Sequence, residues 1–524
     1  MGPLKVLLGE KTTETENENE TSSQKTKSAT SKNDSNQVDL ASKLRQQDDD
    51  KDATTIPQLL VSDNDKMKLT MLALCWGVAC LSALDRVAMS VAMVPLSAEY
   101  GYTDTMKGAI SSLFSVGYGL GIIPAGILVA TASPRVAMGF GIALWSLATI
   151  ATPSAAAYSS MAPLLIARAS VGAAESLVVP TLQRLLSSWT AEEEKSASLA
   201  KVFSGFHAGT VGAYILSPLV IDYLGDWRNI FFIYGGIGLF WLIPWLALSQ
   251  DAPQVADGVA GTAVENKADD QKAGNVIDIS VTKRKLDVRQ EDEGPQKQWA
   301  KSIASLKEAP WGDFIRSKGS WAMLLAHCAN NWGLYNTLAW SPTFYSEQYG
   351  LNVKDSALLS VLPSVAGAFG GLVAGSLADN LLKNIDEETS EEERERRITN
   401  IRKGFQGSAL FVPALALFTL SSHIPEYPWL AQILLMGTTG FQAFNAAGYL
   451  AANQEKAGPK WAGLLYSVTS LPAVMTGTFG VYATGRVLDL TQQDWSLVFA
   501  LNAGINLLGG LAFVALYNSK REFD

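Results

Sequence analysis

Four ionisable residues stand inside stretches that are otherwise apolar. Asp85 and Arg86 are adjacent within LTMLALCWGVACLSALDRVAMSVAMVP, residues 69–95. Arg168 and Glu175 lie in ARASVGAAESLVVP, residues 167–180. Their seven-residue spacing is about two helical turns, which puts both on one helix face roughly 10 Å apart along the axis. A guanidinium stays charged and forks onto phosphate or carboxylate oxygens. A carboxyl held among apolar side chains can exchange a proton with a passing substrate. Charge at membrane depth costs a few kcal/mol or more, so it faces a protein interior or a watery path. Arg168 is therefore a candidate anion ligand and Glu175 a candidate ion-coupling group; the adjacent Asp85 and Arg86 suggest that something charged passes them, with Asp85 a further coupling candidate. The plainer alternative is an ion-pair network that holds two helices together.

Other polar side chains in apolar runs add to this set. His207, among Gly205, Gly209 and Gly212, fits a proton relay or a helix-contact histidine. A later run carries His327, Asn330, Asn331, Trp332, Tyr335 and Asn336. Asn330 and Tyr335 are candidate substrate ligands there, although amides in an apolar helix also bond neighbouring helices. Gln442 and Asn445 invite the same two readings. Enzyme chemistry finds no support: there is no metal-spaced His/Cys cluster, no phosphate-binding Gly loop and no nucleophile elbow. Cys75, Cys80 and Cys328 offer neither zinc spacing nor a disulfide framework. No cofactor is expected beyond Na⁺ or H⁺ as the coupling ion.

The elements that must position these groups follow from composition. Charged residues are 17% of the chain, against about 25% in a soluble protein. They crowd into residues 1–68, 250–318 and 383–403. Between them run twelve apolar stretches: 69–95, 107–131, 136–154, 161–182, 198–222 and 229–249, then 320–346, 355–382, 403–421, 427–450, 461–486 and 495–517. Each approaches the about 20 residues that span a bilayer as a helix, and none alternates as barrel strands do. The expected protein is all-α, integral and multi-pass, with twelve transmembrane helices in two six-helix bundles, 69–249 and 319–517. Residues 1–68 are too polar to bury a core and are expected to be a disordered tail. Residues 250–318 read as a linker, and 518–524 as a short tail.

Basic residues set the orientation. One side holds Arg135, Lys195, Lys201 and the cluster at 383–403; the other holds only Lys107, Arg228, Lys354 and Arg486. That bias puts both tails and the linker in the cytosol or its equivalent. The net charge of −9 resides mainly in the soluble segments and implies no nucleic-acid partner. The expected partners are a small anion and the lipid bilayer, and the expected state is a monomer. The halves share a trace of repetition, because Asp226-Trp227 opens the sixth span and Asp494-Trp495 the twelfth. Duplicated bundles usually hold a substrate between them at the bilayer midplane.

These stretches resemble a known family. The span pattern resembles the major facilitator superfamily. LDRVAMSVAMVPLSAEYG, GAISSLFSVGYGLGIIPAG and WSLATIATPSAA in the first half resemble its anion:cation symporter family, as does the Arg168–Pro180 segment. AHCANNWGLYNTLAWSPTFYSEQYGLN, SVLPSVAG, GSLADNLL and AGYLAANQ in the second half do likewise. The nearest resemblance is to plant and algal type-4 phosphate transporters, with vesicular glutamate transporters and sialin more distant. It covers about residues 69–517.

The resemblance implies secondary active transport of a small anion by alternating access, inorganic phosphate first, driven by Na⁺ or H⁺. It maps anion binding and coupling onto Arg86, Arg168 and Glu175. Asn330 replaces a basic residue common in the family, and Ser111 a histidine of some members, which counts against a glutamate-like substrate. The superfamily's Gly-x-Leu-Ala-Asp-Arg loop lacks its charges at 126–131, whereas Gly375-Ser376-Leu377-Ala378-Asp379 keeps its Asp. Gating contacts on the cytosolic side are therefore expected from the second half, through Asp379 and Arg402. An organic-anion (carboxylate) carrier is the same-class alternative. A non-transporting receptor or scaffold of the same fold is the alternative from another class. The membrane, whether plastid envelope, endomembrane or plasma membrane, stays open.

Overall fold

Helices account for nearly all of the regular structure in the computed structural model, which describes residues 34–190, 194–253, 309–385 and 389–523. In chain order they are α1 (Asp34–Tyr100), α2 (Asp104–Thr131), α3 (Pro134–Ala156), α4 (Ala162–Glu175), α5 (Val178–Trp189), α6 (Lys195–Leu224) and α7 (Arg228–Leu248). There follow α8 (Trp311–Arg316), α9 (Lys318–Tyr349), α10 (Val353–Lys383), α11 (Glu391–Ser422), α12 (Pro428–Gln442), α13 (Tyr449–Thr491) and α14 (Trp495–Leu516). The chain divides into two units, Met1–Asp63 and Asn64–Asp524. In the first, residues 34–63 are helical, where the sequence predicted disorder. Residues 34–68 contain no glycine, and Pro57 is the one proline that the helix accommodates there. The rest of the predicted tail, 1–33, lies outside the described residues.

The second unit carries the membrane spans. Among the described residues, ten helices are long and apolar enough to cross a bilayer. Two further elements complete the expected twelve and fall short for instructive reasons. The seventh span, α9, is diluted by His327, Asn330, Asn331 and Asn336. The tenth is cut short where α12 gives way to a 3₁₀ turn at Ala443–Ala446. The fourth span is also broken, into α4 and α5, because Pro180 offers no N–H to the carbonyl of Ser176. Discontinuous helices in matching positions of two halves mark binding regions in transporters.

Local chemistry fixes the helix ends. Thr103, Ser133, Asn352 and Ser390 cap α2, α3, α10 and α11 through their side-chain oxygens. The Asp-Trp repeat performs one task twice. Asp226 Oδ1 accepts from Arg228 N–H and Asp494 Oδ1 from Ser496 N–H, each at 2.9 Å, and Trp227 and Trp495 are buried beside them. The spans before them both end left-handed, at Gly225 (φ 71°) and at Gln492 (φ 57°), where glycine is the unstrained choice.

The predicted linker is trimmed at both ends. Asp251 accepts from Arg135 N–H at 2.7 Å and Gln250 O from Trp189 Nε1 at 3.0 Å, docking 250–251 on the first bundle. Ala309 and Phe314 are buried in the core of the second. Residues 254–308 lie outside the described residues. The predicted short tail also packs: Phe523 meets Phe314 edge-on at 4.7 Å, and Glu522 pairs with the buried Lys456 at 2.6 Å.

Polar contacts between the bundles gather at the end that carries the short hairpin loops. Asp489 of α13 accepts from Asp104 N–H and Thr105 N–H, both at 2.9 Å, and so caps α2 of the other bundle. Lys107 bonds Asp104 at 2.8 Å and pairs with Glu347 of α9. Lys354 pairs with Asp222 at 3.6 Å, and Tyr214 Oη donates to Leu338 O at 3.1 Å. Ala357 and Val361 of α10 join the first bundle's apolar core here. Backbones touch at Gly485, where a Cβ would run into the carbonyl of Asp104. The hairpin end is thus closed.

Candidate functional site

Between the bundles lies a cavity of about 570 Å³. Its first-half wall includes Arg86, Ser111, Phe114, Tyr118 and Arg168; its second-half wall includes His327, Asn330, Tyr335, Tyr449 and Tyr466. Arg86 leaves 36% of its side chain open, stacks over Phe114 at 4.8 Å and bonds Glu175 Oε2 at 3.3 Å. Ser82 Oγ donates to the same carboxylate oxygen at 2.7 Å. Glu175, at the C-terminal end of α4 where the fourth span breaks, is buried behind Arg86 and does not line the cavity.

Arg168 differs from Arg86. It is only 3% exposed, lines the cavity and lies 5.5 Å from the centre of the Phe114 ring. It makes no hydrogen bond or ion pair among the described residues, and its Nε is buried without a partner. Glu175 and Asp85 are near enough to act on it electrostatically, without direct contact. A buried guanidinium left without a hydrogen-bonded counter-charge is costly, and an anion on the cavity side would satisfy it. Asp85 is also buried, with Oδ1 lacking a partner, and Glu175 Oε1 is in the same condition. Two buried carboxylate oxygens are thus without a partner among the described residues, behind two guanidinium groups on the cavity wall.

The second-half wall carries no formal charge among its lining residues. Asn330 lines it as predicted, but its side chain is tied down: Oδ1 accepts from Asn445 Nδ2 at 2.5 Å. Gln406 Nε2 donates to Asn445 Oδ1 at 2.7 Å, while Gln406 Oε1 accepts from Tyr449 N–H at 2.9 Å. With Arg402 Nη1 donating to Ala447 O at 2.9 Å, this network satisfies the backbone groups freed by the break in the tenth span. Tyr335 lines the cavity within electrostatic reach of Arg86.

The structure therefore brings Arg86, Arg168, Asn330 and Tyr335 to one cavity and sets Asp85 and Glu175 behind it. It does not bring His207, which is exposed on α6 and absent from the cavity wall; the small residues around it let α6 approach α1 by a different face. The two residues expected to gate, Asp379 and Arg402, stand at the end opposite the closed hairpin loops. Asp379 is exposed and has no ion pair among the described residues, and Arg402 forks onto Glu455 of its own bundle at 2.5 and 3.0 Å. Closure of the hairpin end rests on Asp489, Lys107 and Glu347, whose only signal in sequence was charge at helix ends. Tyr118, Tyr449 and Tyr466 were missed too, because a tyrosine in an apolar run looks like core.

This architecture is that of a membrane transporter, and the chain belongs to the Major Facilitator Superfamily, which it matches over residues 75–481. It is similar to the "Probable anion transporter 1, chloroplastic" of Oryza sativa subsp. japonica, 32% identical over 451 residues, covering 86% of this chain and 77% of the relative. The "Sodium-dependent phosphate transport protein 1, chloroplastic" of Arabidopsis thaliana is 32% identical over 86% of this chain and 79% of its own length. The "Ascorbate transporter, chloroplastic" of the same plant is 31% identical over 86% and 75%. Among solved structures, a bacterial homologue of the human lysosomal transporter Spinster, inward-facing and unoccupied, superposes with a TM-score of 0.60 at 13% identity. It covers 86% of this chain and 95% of that one, and the likeness shows the fold.

Proposed function

We propose that this protein is a secondary active transporter of a small anion, inorganic phosphate first, coupled to Na⁺ or H⁺ by alternating access. The observation that carries this reading is Arg168, buried on the cavity wall with no hydrogen-bond or ion-pair partner among the described residues. Arg86 and Arg168 hold the anion. Glu175 holds Arg86 while the anion is away, and a cation or proton on Glu175 and Asp85 frees Arg86 for its cargo. Charge balance favours this order. Two arginines and two carboxylates sum to zero, so an arriving anion is offset by a positive charge taken up behind it. At an effective dielectric of about 20, opposite charges about 4 Å apart attract by about 4 kcal/mol, enough to link the two events.

The hairpin end is closed, so the cavity of this conformation serves the end that carries the termini and linker. The basic bias supports assigning that end to the cytosol or its equivalent. An impermeant thiol reagent should then label a cysteine placed at Asp355 in intact membranes and spare one at Glu265. The relatives named as chloroplastic make a plastid membrane the first to examine by fluorescent tagging at the C-terminus.

An organic carboxylate is the second reading, favoured by the cavity's size: about 570 Å³ lies within the range of pockets that enclose drug-sized ligands. The test is uptake by proteoliposomes of the full chain, with phosphate or a carboxylate outside and Na⁺ and H⁺ gradients imposed in turn. Gradient-driven accumulation of either anion supports transport and names the ion. No uptake under any gradient would leave a scaffold of the same fold.

A further inference from the structure

His327 stands on the neutral wall, in the seventh span, and the transport reading has given it no task. Its ring is sandwiched by two phenols: Tyr449 at 4.8 Å and Tyr466 at 5.5 Å between ring centres. The side chain is buried, 4% exposed, and its residue lines the cavity. No carboxylate lines that wall, so nothing there compensates a charged imidazolium.

The hydrogen bonds around it accommodate the tautomer with the proton on Nδ1. Thr469 Oγ1 donates its single proton to Tyr466 O at 3.0 Å. With its proton on that carbonyl it accepts from His327 Nδ1, 3.3 Å away. Nδ1 then carries the ring proton, and Nε2 keeps a lone pair. Nε2 has no partner among the described residues and is not sealed away as a buried orphan. The other groups argued for the anion are two guanidinium groups on the first half, which only donate, and the Tyr335 hydroxyl on the second, which brings a proton of its own. His327 adds an acceptor across the cavity from them.

An acceptor facing an anion is useful only when the anion itself carries a proton. Hydrogen phosphate does, and so does a carboxylate bearing a hydroxyl; sulfate near neutral pH does not. We infer that His327 determines specificity by accepting, at Nε2, the O–H of the transported anion, so that the carrier takes protonated or hydroxylated oxyanions and rejects those with no O–H. This rests on the transport reading above. The arginines and His327 belong to different bundles, so the contact completes as the bundles close on the anion. Discrimination is then exercised at closure, as in induced fit. An anion without the proton sets its own lone pairs against that of Nε2 and leaves a polar atom unpaired. Thr469 acts through His327 as a positioning residue.

The test uses the full chain in proteoliposomes and reads the ratio of inhibition by sulfate to inhibition by phosphate of labelled phosphate uptake. Wild type should resist sulfate at least about a hundred-fold more than phosphate. His327→Phe keeps a ring between the two tyrosines and removes the acceptor; the ratio should shrink about ten- to a hundred-fold. His327→Gln returns an acceptor and should restore part of it. Thr469→Val releases the tautomer and should shrink the ratio several-fold with the protein still inserted, which keeps the test decisive if the phenylalanine variant does not fold. If wild type moves a carboxylate instead of phosphate, lactate and propionate form the matched pair. Uptake with a ratio unchanged in His327→Phe or, where that fails to fold, in Thr469→Val overturns this inference alone, as does wild type taking sulfate as well as phosphate. No anion uptake by wild type overturns the transport reading and this inference with it.

Discussion

The fourth and tenth spans occupy matching places in the two bundles, both break partway, and they use the break for different ends. In the fourth, Glu175 stands at the interruption, with Arg86 and Ser82 on it from α1. In the tenth, Asn445 stands there, with Gln406 and Asn330 on it from α11 and α9. One break is ionic and behind a charged wall; the other is an amide network behind a neutral wall. The same backbone device thus supports two chemistries. On the proposed reading the first bundle handles charge, where an anion and its coupling ion are taken up together. The second supplies fixed amides, phenols and an imidazole, which read the shape and hydrogen-bonding pattern of the cargo.

The comparison breaks most easily at its charged side. Arg168→Ala should abolish net uptake and anion exchange together, with a loss of roughly thirty-fold to several-thousand-fold in affinity. Arg168→Lys should recover only part, because a point ammonium cannot fork onto an oxyanion. Equilibrium binding of labelled anion to purified protein reads both. On the neutral side, Asn445→Ala leaves the buried Gln406 and Asn330 amides short of a partner. It should cost about 1–3 kcal/mol of stability, seen as a lowered Tm in detergent, with anion affinity affected less than by Arg168→Ala.

At the contact between the bundles, Asp489→Ala removes a cap worth about 1 kcal/mol, so the hairpin end should open about fivefold more often. A cysteine placed at Ser90 on the cavity wall would label faster from that side. His207→Ala should change transport by less than about twofold, since an exposed side chain away from the site carries little energy.

Much of this was legible in the chain. Twelve apolar runs give the spans because the bilayer sets their length, and Arg86, Arg168 and Glu175 stand out because charge is costly there. The seventh and tenth spans were legible as elements although α9 is polar and α12 is short, since their neighbours fix where a crossing must fall. Contacts that depend on three dimensions were not legible. Asp489 reads as an ordinary acidic helix end, and only the approach of α2 at Gly485 turns it into a cap. Tyr118, Tyr449 and Tyr466 read as apolar filler until the cavity between the bundles exposes them. Arg402 and Asp379 lie at the opposite end, and that Arg402 pairs with Glu455 of its own bundle was not legible from the motif either. The helix from Asp34 was hidden by composition, which describes burial better than it describes a helix.

The claim that charge handling is divided between arginines for the anion and Glu175 for the coupling ion is met most directly by Glu175→Gln. The change keeps the shape of the side chain and removes its ability to change charge. Accumulation against a gradient and exchange of internal for external anion are measured in the same proteoliposomes. Accumulation should vanish while exchange persists. If Glu175→Gln still concentrates the anion against its gradient, Glu175 is a packing residue and the division of labour is wrong.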